Sequence, residues 1–160
     1  MTDFIQLKKD TIIRIGIKDY DGKETGEHLE FDLEDIELPL KYQECEEKHR
    51  KNIQYLKMQF AIIDKKQDKK GKKLLSANEE EKIKVVSEFY RREIEALDLF
   101  IGTGGTNKLL NGRKPYYSMY DDINEMLRPI MPIIEKGFGN IEEKIKNKYK
   151  NVNKESNVLK

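Results

Sequence analysis

The sequence predicts a mainly α-helical, α+β fold, in which a small N-terminal β-hairpin precedes an antiparallel helical bundle with one kinked C-terminal helix. Two short segments alternate apolar and polar residues, as half-buried strands do. Three longer segments repeat apolar residues every three or four positions, as helices with one buried face do. The charged fraction of 38% and the apolar fraction of 37% are typical of long helices that bury a single stripe.

The length of 160 residues suits a single domain. We predict that this domain spans residues 1–148, with the hairpin over 11–34 and the helical bundle over 39–145. The segment 149–160 has little apolar surface to bury, so we expect a disordered tail there.

The hairpin is predicted from two alternating segments on either side of a turn-rich stretch, YDGKETG. Isoleucines occupy one face of the first segment, and large apolar residues occupy one face of the second: Ile13, Ile15 and Ile17, then Leu29, Phe31 and Leu33. Because an isolated hairpin is marginally stable in water, we expect this apolar face to pack on the helices.

Two long helices follow the hairpin and are expected to pair in antiparallel orientation. The first begins near Pro39, where a missing backbone N–H does no harm, and runs to about residue 66. Ser76 and Glu79 form the capping-box pattern that starts the second, which is expected over 77–101. The first helix has one stripe with spacings of three and four residues: Tyr42, Cys45, His49, Ile53, Leu56, Phe60 and Ile63.

A glycine-rich joint connects the second helix to the last one. We expect Gly102 and Gly112 to adopt positive φ at its two ends, because glycine is the residue that takes this conformation without strain. Thr106 is expected to cap a one-turn helix over 107–110 that anchors two leucines in the core. The residues of this predicted structural joint are Gly102, Gly104, Gly105, Leu109, Leu110 and Gly112.

The last helix is predicted from Ser118, a candidate N-cap, with an apolar period that starts at Tyr120 and continues beyond residue 138. Pro129 and Pro132 interrupt this period. Each proline removes a backbone N–H and crowds the preceding turn, so we expect a kink or a break between Met126 and Met131.

No pattern in the sequence indicates a catalytic, cofactor-binding or metal-binding site, and we predict that the protein is not an enzyme. Cys45 is the only cysteine and lies on an apolar stripe, which is typical of a small buried residue. The acidic residues at 79–81 and 121–122 complement helix N-termini without any further role. The stretch GTGGTNK lacks the spacing of a nucleotide-binding loop.

Charge and hydropathy limit the kinds of partner that the sequence favours. The net charge of +1 gives no electrostatic reason to expect nucleic acid or a membrane surface. The lysine-rich segment at 65–73 supports the alternative of a nucleic-acid-associated phage or plasmid protein, although it lacks interleaved aromatic residues. We find neither a signal peptide nor a run of membrane-spanning length, so we expect a cytoplasmic protein.

The order of elements resembles the tail assembly chaperones of long-tailed bacteriophages and prophages of Gram-positive bacteria. The resemblance rests on the segments FDLEDIELPLKYQECEEK and EIEALDLFIGTGGTNKLLNGRKPYYSMYDDINEML. In that family an acidic-aromatic helix end precedes a glycine-rich turn, a small helix and a helix rich in tyrosine and leucine. The corresponding residues here are 98–100, 102–105, 108–112 and those from Tyr116 onward.

This resemblance implies an assembly factor of the host cytoplasm that is absent from the mature virion. Such a chaperone binds the tape-measure protein, helps to recruit tail-tube subunits and has no catalytic activity. We take Tyr116, Tyr117, Tyr120 and Phe138 as candidate partner-binding residues. The sequence leaves open whether the chain forms a homo-oligomer.

Overall fold

Seven regular elements follow one another in residues 2–7 and 11–150, the part of the chain that this computed structural model describes. The mainly helical α+β class predicted from the sequence is confirmed. The elements are β1 Ile12–Lys18, β2 Glu24–Asp32, α1 Leu38–Asp64, α2 Ala77–Ile101, α3 Gly105–Leu110, α4 Met119–Leu127 and α5 Met131–Tyr149.

The two strands form an antiparallel hairpin with the predicted apolar face. Ile13 pairs with Phe31 and Ile15 pairs with Leu29, so large side chains lie opposite one another on one side of the ribbon. Leu29 and Phe31 are buried, and the ring of Phe31 lies 5.4 Å from that of Phe100 on α2. The hairpin therefore covers the end of the helical core, as expected for a ribbon that is marginal in isolation.

Helices α1 and α2 pack in antiparallel orientation. Near one end of the pair, Lys82 Nζ lies 2.5 Å from Asp64 Oδ1. Near the other end, the rings of Tyr42 and Phe100 meet edge to face with centroids 5.2 Å apart. The capping box predicted at the start of α2 is present, with the Ser76 side chain accepting from the Glu79 N–H.

The core lies where the hairpin, α1, α2 and the three shorter helices meet. Its members come from every helix, so no helix of the described chain stands outside it. The buried apolar residues of this core are Leu29, Phe31, Leu38, Cys45, Leu97, Phe100, Ile101, Leu110, Met119, Ile123, Leu127 and Ile134.

The predicted kinked C-terminal helix is two separate helices, α4 and α5. The break falls at residues 128–130, inside the interval expected from the prolines. Pro129 lies in the break itself, whereas Pro132 occupies the first turn of α5, where the missing N–H costs nothing. Of the kink or break that we expected there, the structure has the break.

Helix α5 packs against the connection between β2 and α1 through a glycine. A Cβ atom built on Gly137 would lie 3.2 Å from Leu33 Cβ, which is closer than side chains normally approach. α5 continues to Tyr149, beyond residue 145 where we expected the bundle to end. Of the predicted disordered tail 149–160, only Tyr149 and Lys150 are described, and the remainder lies outside the described residues.

Candidate functional site

The glycine-rich joint is organised by the Asp98 side chain near the end of α2. Asp98 Oδ1 accepts hydrogen bonds from the Thr106 backbone N–H at 2.9 Å and from Thr106 Oγ1 at 2.7 Å. Asp98 Oδ2 accepts from the Gly104 N–H at 3.1 Å. One carboxyl group therefore satisfies three donors at the start of α3 and fixes the turn between the two helices.

The predicted cap of this small helix is wrong. α3 begins at Gly105 rather than at residue 107, and its N-cap is Gly104 with φ of 79°. Thr106 lies inside the helix, fully buried, with its hydroxyl bound to Asp98. A carboxylate brought in from α2 replaces the local threonine cap, because it reaches two backbone N–H groups that a neighbouring hydroxyl cannot reach together.

The glycines of the joint serve two different physical needs. Gly102 and Gly112 have φ of 93° and 82°, the positive values expected from the turn pattern. Gly105 has no such backbone requirement. A Cβ atom at Gly105 would lie 2.7 Å from Ile101 Cγ1, so this glycine allows α3 to approach the end of α2.

The two leucines of α3 differ in burial. Leu110 is buried, and Leu109 is partly buried against the core. They lie next to the hairpin and α4, and Lys108 Nζ donates to the His28 backbone carbonyl oxygen at 3.2 Å. The joint therefore anchors α3 to the hairpin as well as to α2.

Replacing Asp98 with alanine is expected to lower the free energy of unfolding by about 2–3 kcal/mol, because the buried Thr106 N–H and hydroxyl would lose a charged acceptor. Chemical denaturation followed by circular dichroism measures this loss. Asp121→Ala is the matched control, since Asp121 is exposed in the first turn of α4. Equal losses in the two variants would contradict the role assigned to Asp98.

A second polar group, buried between α1 and α2, contains Glu93, His49 and Asn52. Glu93 is 1% exposed, and its Oε2 lies 2.6 Å from His49 Nδ1. Glu93 Oε1 accepts from the Asn52 side-chain amide at 2.8 Å. The ring of His49 stacks on Tyr120 of α4 with centroids 3.5 Å apart, so the group also positions α4 on the helix pair.

Cys45, His49 and Glu93 have the residue types of a Cys-His-Glu triad, but their environment does not suit nucleophilic catalysis. The thiol of Cys45 is buried, and burial raises its pKa to about 11. A thiol in this state carries almost no thiolate near neutral pH. Its Sγ lies 4.0 Å from the Tyr120 hydroxyl, whose pKa burial also raises. We assign this group to helix packing.

The sequence carries a signal for this polar group that becomes clear only when both helices are considered together. The apolar stripe of α1 by itself predicts His49 to be a residue at the stripe's edge. Asn52 follows it by three positions and lies on the same face, and Glu93 lies three positions after Tyr90 on the facing stripe of α2. Polar residues at stripe positions on both helices of an antiparallel pair indicate buried partners.

The four candidate partner-binding aromatics do not form one surface. The ring of Tyr116 is partly buried under the Arg113 guanidinium, which lies 3.7 Å from its centroid. Tyr117 is 97% exposed in the loop before α4. Tyr120 is largely covered by its packing on His49, which leaves little of its ring for a partner. Phe138, on α5, is 37% exposed.

Helix α5 leaves an apolar stripe uncovered. The stripe begins at Ile134, which is buried, and continues every three or four residues through Phe138, Ile141, Ile145 and Tyr149. Ile145 and Tyr149 are 46% and 54% exposed. Of the eleven residues from Gly139 to Tyr149, Ile141 is intermediate in burial and the other ten are exposed. The first half of α5 thus belongs to the core, and the second half presents the same stripe to solvent.

A shallow apolar groove of about 180 Å³ lies between the first turn of α1 and the first half of α5. Met131, Ile134 and Phe138 line it from α5, opposite Pro39 and Tyr42 of α1. Burial raises the pKa of the Tyr42 hydroxyl to about 12, so this group is a neutral donor near pH 7. The groove extends the exposed stripe of α5 towards the core.

The lysine-rich segment after α1 is held in place by hydrogen bonds to the ends of α1 and α2. Asp68 accepts from the backbone N–H groups of Lys69 and Asn78, and the Asn78 side-chain amide donates to the Ile63 and Lys66 carbonyl oxygens. Lys66 also forms an ion pair with Glu81. The segment therefore closes the α1–α2 turn, and the aromatic residues that stack bases in single-strand binding sites are absent from it.

Within the described ranges, no group of three or more histidine, cysteine, aspartate and glutamate side chains is arranged to hold a metal ion. No helix there combines the length and the apolar composition needed to cross a membrane. Comparisons of the chain with protein-family models, with curated proteins and with solved structures find no match.

Proposed function

We propose that this protein is a tail assembly chaperone of a long-tailed bacteriophage or prophage, and that it binds the tape-measure protein through the exposed stripe of α5. The observation that carries the binding surface is the stripe itself, which is built like a core-facing stripe but lacks a cover over residues 139–149. The identity of the partner is supported by the resemblance in the sequence. The wider role, recruitment of tail-tube subunits in the host cytoplasm, rests on the same resemblance.

The spacing of the stripe suits a helical partner. Apolar residues at intervals of three and four positions pack against an equivalent stripe on a second helix. A tape-measure protein is long and helical, so before the tube encloses it an apolar stripe would face water. Charged residues on both sides of the α5 stripe, including Glu142, Lys144 and Lys148, keep the free chaperone compatible with water.

Replacing Ile145 and Tyr149 together by lysine is expected to reduce the tape-measure protein that co-purifies with this chain by at least about tenfold, because two charges would enter an apolar contact. Both side chains are half-exposed, so the fold should survive. The measurement is co-expression with the tape-measure protein of the same phage, followed by affinity purification and a thermal melt of the free variant.

The matched control is Asn140→Lys with Asn147→Lys. This pair adds the same charge to the same helix, and at 3.6 residues per turn it lies on the side away from the stripe. Moderate salt should leave the wild-type complex largely intact, since the contact is apolar. If the tape-measure protein stays equally soluble without this chain, or if both variant pairs bind alike, the proposal fails.

The nucleic-acid alternative predicts a different outcome in the same assay. A complex held by the lysines at 65–73 would weaken steeply with salt and would survive the changes on α5. Substitution of Lys70 and Lys72 by glutamate would then abolish binding to a single-stranded oligonucleotide. That pattern would favour the alternative over the chaperone.

A further inference from the structure

In the described part of the chain, the outer edge of β1 is open, whereas the outer edge of β2 is covered. The two strands described form a sheet by themselves, so each has one edge without a neighbouring strand. On the β2 side, Lys108 of α3 donates to the His28 carbonyl oxygen at 3.2 Å and holds α3 against that edge. On the other side, residues 2–7, the described segment before β1, are exposed throughout and leave the β1 edge uncovered.

The backbone groups on this open edge belong to even-numbered residues of β1. The Thr11 carbonyl oxygen accepts from the Leu33 N–H, and the hydrogen-bonded pairs of an antiparallel ladder recur at every second residue. The odd-numbered residues of β1 therefore bond to β2, while Ile12, Arg14 and Gly16 direct their N–H and C=O groups outward. In the part of the chain that the structure describes, no backbone group outside the hairpin bonds to them.

The apolar face of the hairpin is covered unequally. Leu29 and Phe31 of β2 are 3% and 2% exposed. The three isoleucines on the same face of β1 are only intermediate in burial: Ile13, Ile15 and Ile17. A further strand beside β1 would extend the sheet on the side where its apolar face is least covered, and sheets of three or more strands are more stable than a single hairpin.

We infer that two copies of this chain pair through their β1 edges, in antiparallel orientation, to form a four-stranded sheet. In the register that fits best, Ile15 lies opposite Ile15 of the second copy, and all seven residues of β1 are paired. Arg14 then faces Gly16 of the second copy, so outward-directed backbone groups meet, as the ladder requires. Ile13 faces Ile17 of the second copy, which joins the two apolar faces. This inference does not depend on which protein binds α5.

Charge selects this register over its neighbours. A shift by two residues keeps the ladder pattern, but it would place Arg14 directly opposite either Arg14 or Lys18 of the second copy. Like charges directly opposite each other across a strand pair are destabilising. In the inferred register Arg14 faces a glycine, and it is also paired with Glu30 of its own hairpin at 2.7 Å. A shift by one residue would set outward-directed backbone groups opposite groups that already bond to β2.

The inferred contact joins two copies and stops there. Because the same strand of both copies forms it, a two-fold axis relates them and the interface is used up on each side. The ends of the four-stranded sheet are then the two β2 edges, which Lys108 and α3 cover. We therefore expect a dimer and not a fibre.

Sedimentation velocity of the full chain is expected to show a concentration-dependent species with twice the 18.9 kDa mass of the chain. Gly16→Pro should raise the dissociation constant of this dimer at least about tenfold, because each copy loses an outward N–H donor. The ladder within the hairpin does not use that N–H, and a thermal melt checks that the fold survives. The matched control is Gly16→Ala, which keeps the N–H and should dimerise as the wild type does, since a Cβ atom there meets nothing within 4 Å.

Disulfide formation tests the register separately. Ile15→Cys should give a covalent dimer under mild oxidation, because the two introduced thiols face each other across the two-fold axis at a separation that a disulfide can span. Ile13→Cys is the matched control on the same face of β1. Its two thiols would lie four residues apart along the strands, roughly 13 Å, which is too far for a disulfide. The native Cys45 is buried and is the same in both variants.

Three results would overturn the inference: a chain that stays monomeric up to roughly 1 mM, a Gly16→Pro variant that dimerises like Gly16→Ala, or equal disulfide formation at positions 13 and 15. Two other surfaces are tested in the same way. Deletion of residues 2–7, or Ile145→Lys with Tyr149→Lys, should leave the dimer intact. Loss of the dimer in either variant would assign the contact to the N-terminal segment or to α5 and would also overturn the inference. None of these measurements involves the tape-measure protein.

Discussion

Replacing Leu109 and Leu110 together by aspartate is expected to unfold the domain. Leu110 is 4% exposed and Leu109 is packed against the same core, so the two charges would have to enter apolar surroundings without partners. Burial of an unpaired charge costs several kcal/mol, and two such costs are comparable with the roughly 5–15 kcal/mol by which native domains are stable. Circular dichroism and the width of amide proton signals measure the result.

The matched control for this change is Asn107→Asp with Asn111→Asp. Both asparagines are exposed on or beside the same helix, and aspartate tolerates the positive φ of 48° at position 111. This variant adds the same two charges and should remain folded. A leucine variant that melts like the wild type would show that α3 is not anchored in the core.

Replacing His49 by alanine is expected to lower the free energy of unfolding by about 3 kcal/mol, because the buried Glu93 side chain would lose a hydrogen-bond partner and a cavity would form beside Tyr120. The change leaves the Glu93 carboxylate, which is 1% exposed, with Asn52 as its remaining polar partner. It also removes the ring on which Tyr120 stacks, so α4 would lose part of its support. Urea denaturation measures the loss.

Two further variants test the cause of this loss. Arg91→Ala removes the exposed ion pairs that Arg91 forms with Glu88 and Glu95, its neighbours on α2. It should change the free energy of unfolding by no more than about 1 kcal/mol. Leucine at all three positions 49, 52 and 93 should recover much of the loss, because no charge is then left buried. Equal effects of His49→Ala and Arg91→Ala would refute the buried pair.

The helices and strands could be predicted from short sequence patterns because the interactions that start and end them lie within a few residues. The alternation around Ile15 and Leu29 and the capping box at Ser76 each lie within one short segment, and the structure has the hairpin and the start of α2 accordingly. The positive φ of Gly102 and Gly112 follows from turn chemistry of the same short range. Such features can be derived without knowing what surrounds them.

The errors arose where distant residues decide the structure. Thr106 was a reasonable local cap, but a carboxylate from α2 reached the same N–H groups. The sequence does contain one signal for the role of Asp98. An acidic residue near a helix C-terminus interacts unfavourably with the helix dipole, which indicates that its side chain has another structural role. Likewise, only the pairing of α1 with α2 shows that Glu93 is buried, because exposed and buried glutamates look alike in one helix.

The sequence does not show which apolar residues of the last helix are exposed. Phe138, a candidate partner-binding residue, is 37% exposed and lies on the stripe that ends at Ile145 and Tyr149. Tyr120, another candidate, stacks on His49 instead. Whether an apolar residue on a helix faces the core or solvent depends on where that helix leaves the bundle. The spacing of apolar residues is the same before and after that point, so the sequence alone does not locate it.

The uncovered half of α5 has a consequence for how tightly it can hold anything. An isolated helix shorter than about 12–15 residues is marginal in water, and the segment from Gly139 to Tyr149 has eleven residues with almost no tertiary support. Its amide protons should therefore exchange much faster than those of α2. A partner that completes this helix must supply the free energy of ordering it, which lowers the net affinity. In the chaperone role that we propose, this lower affinity would allow the partner to be released without an energy source.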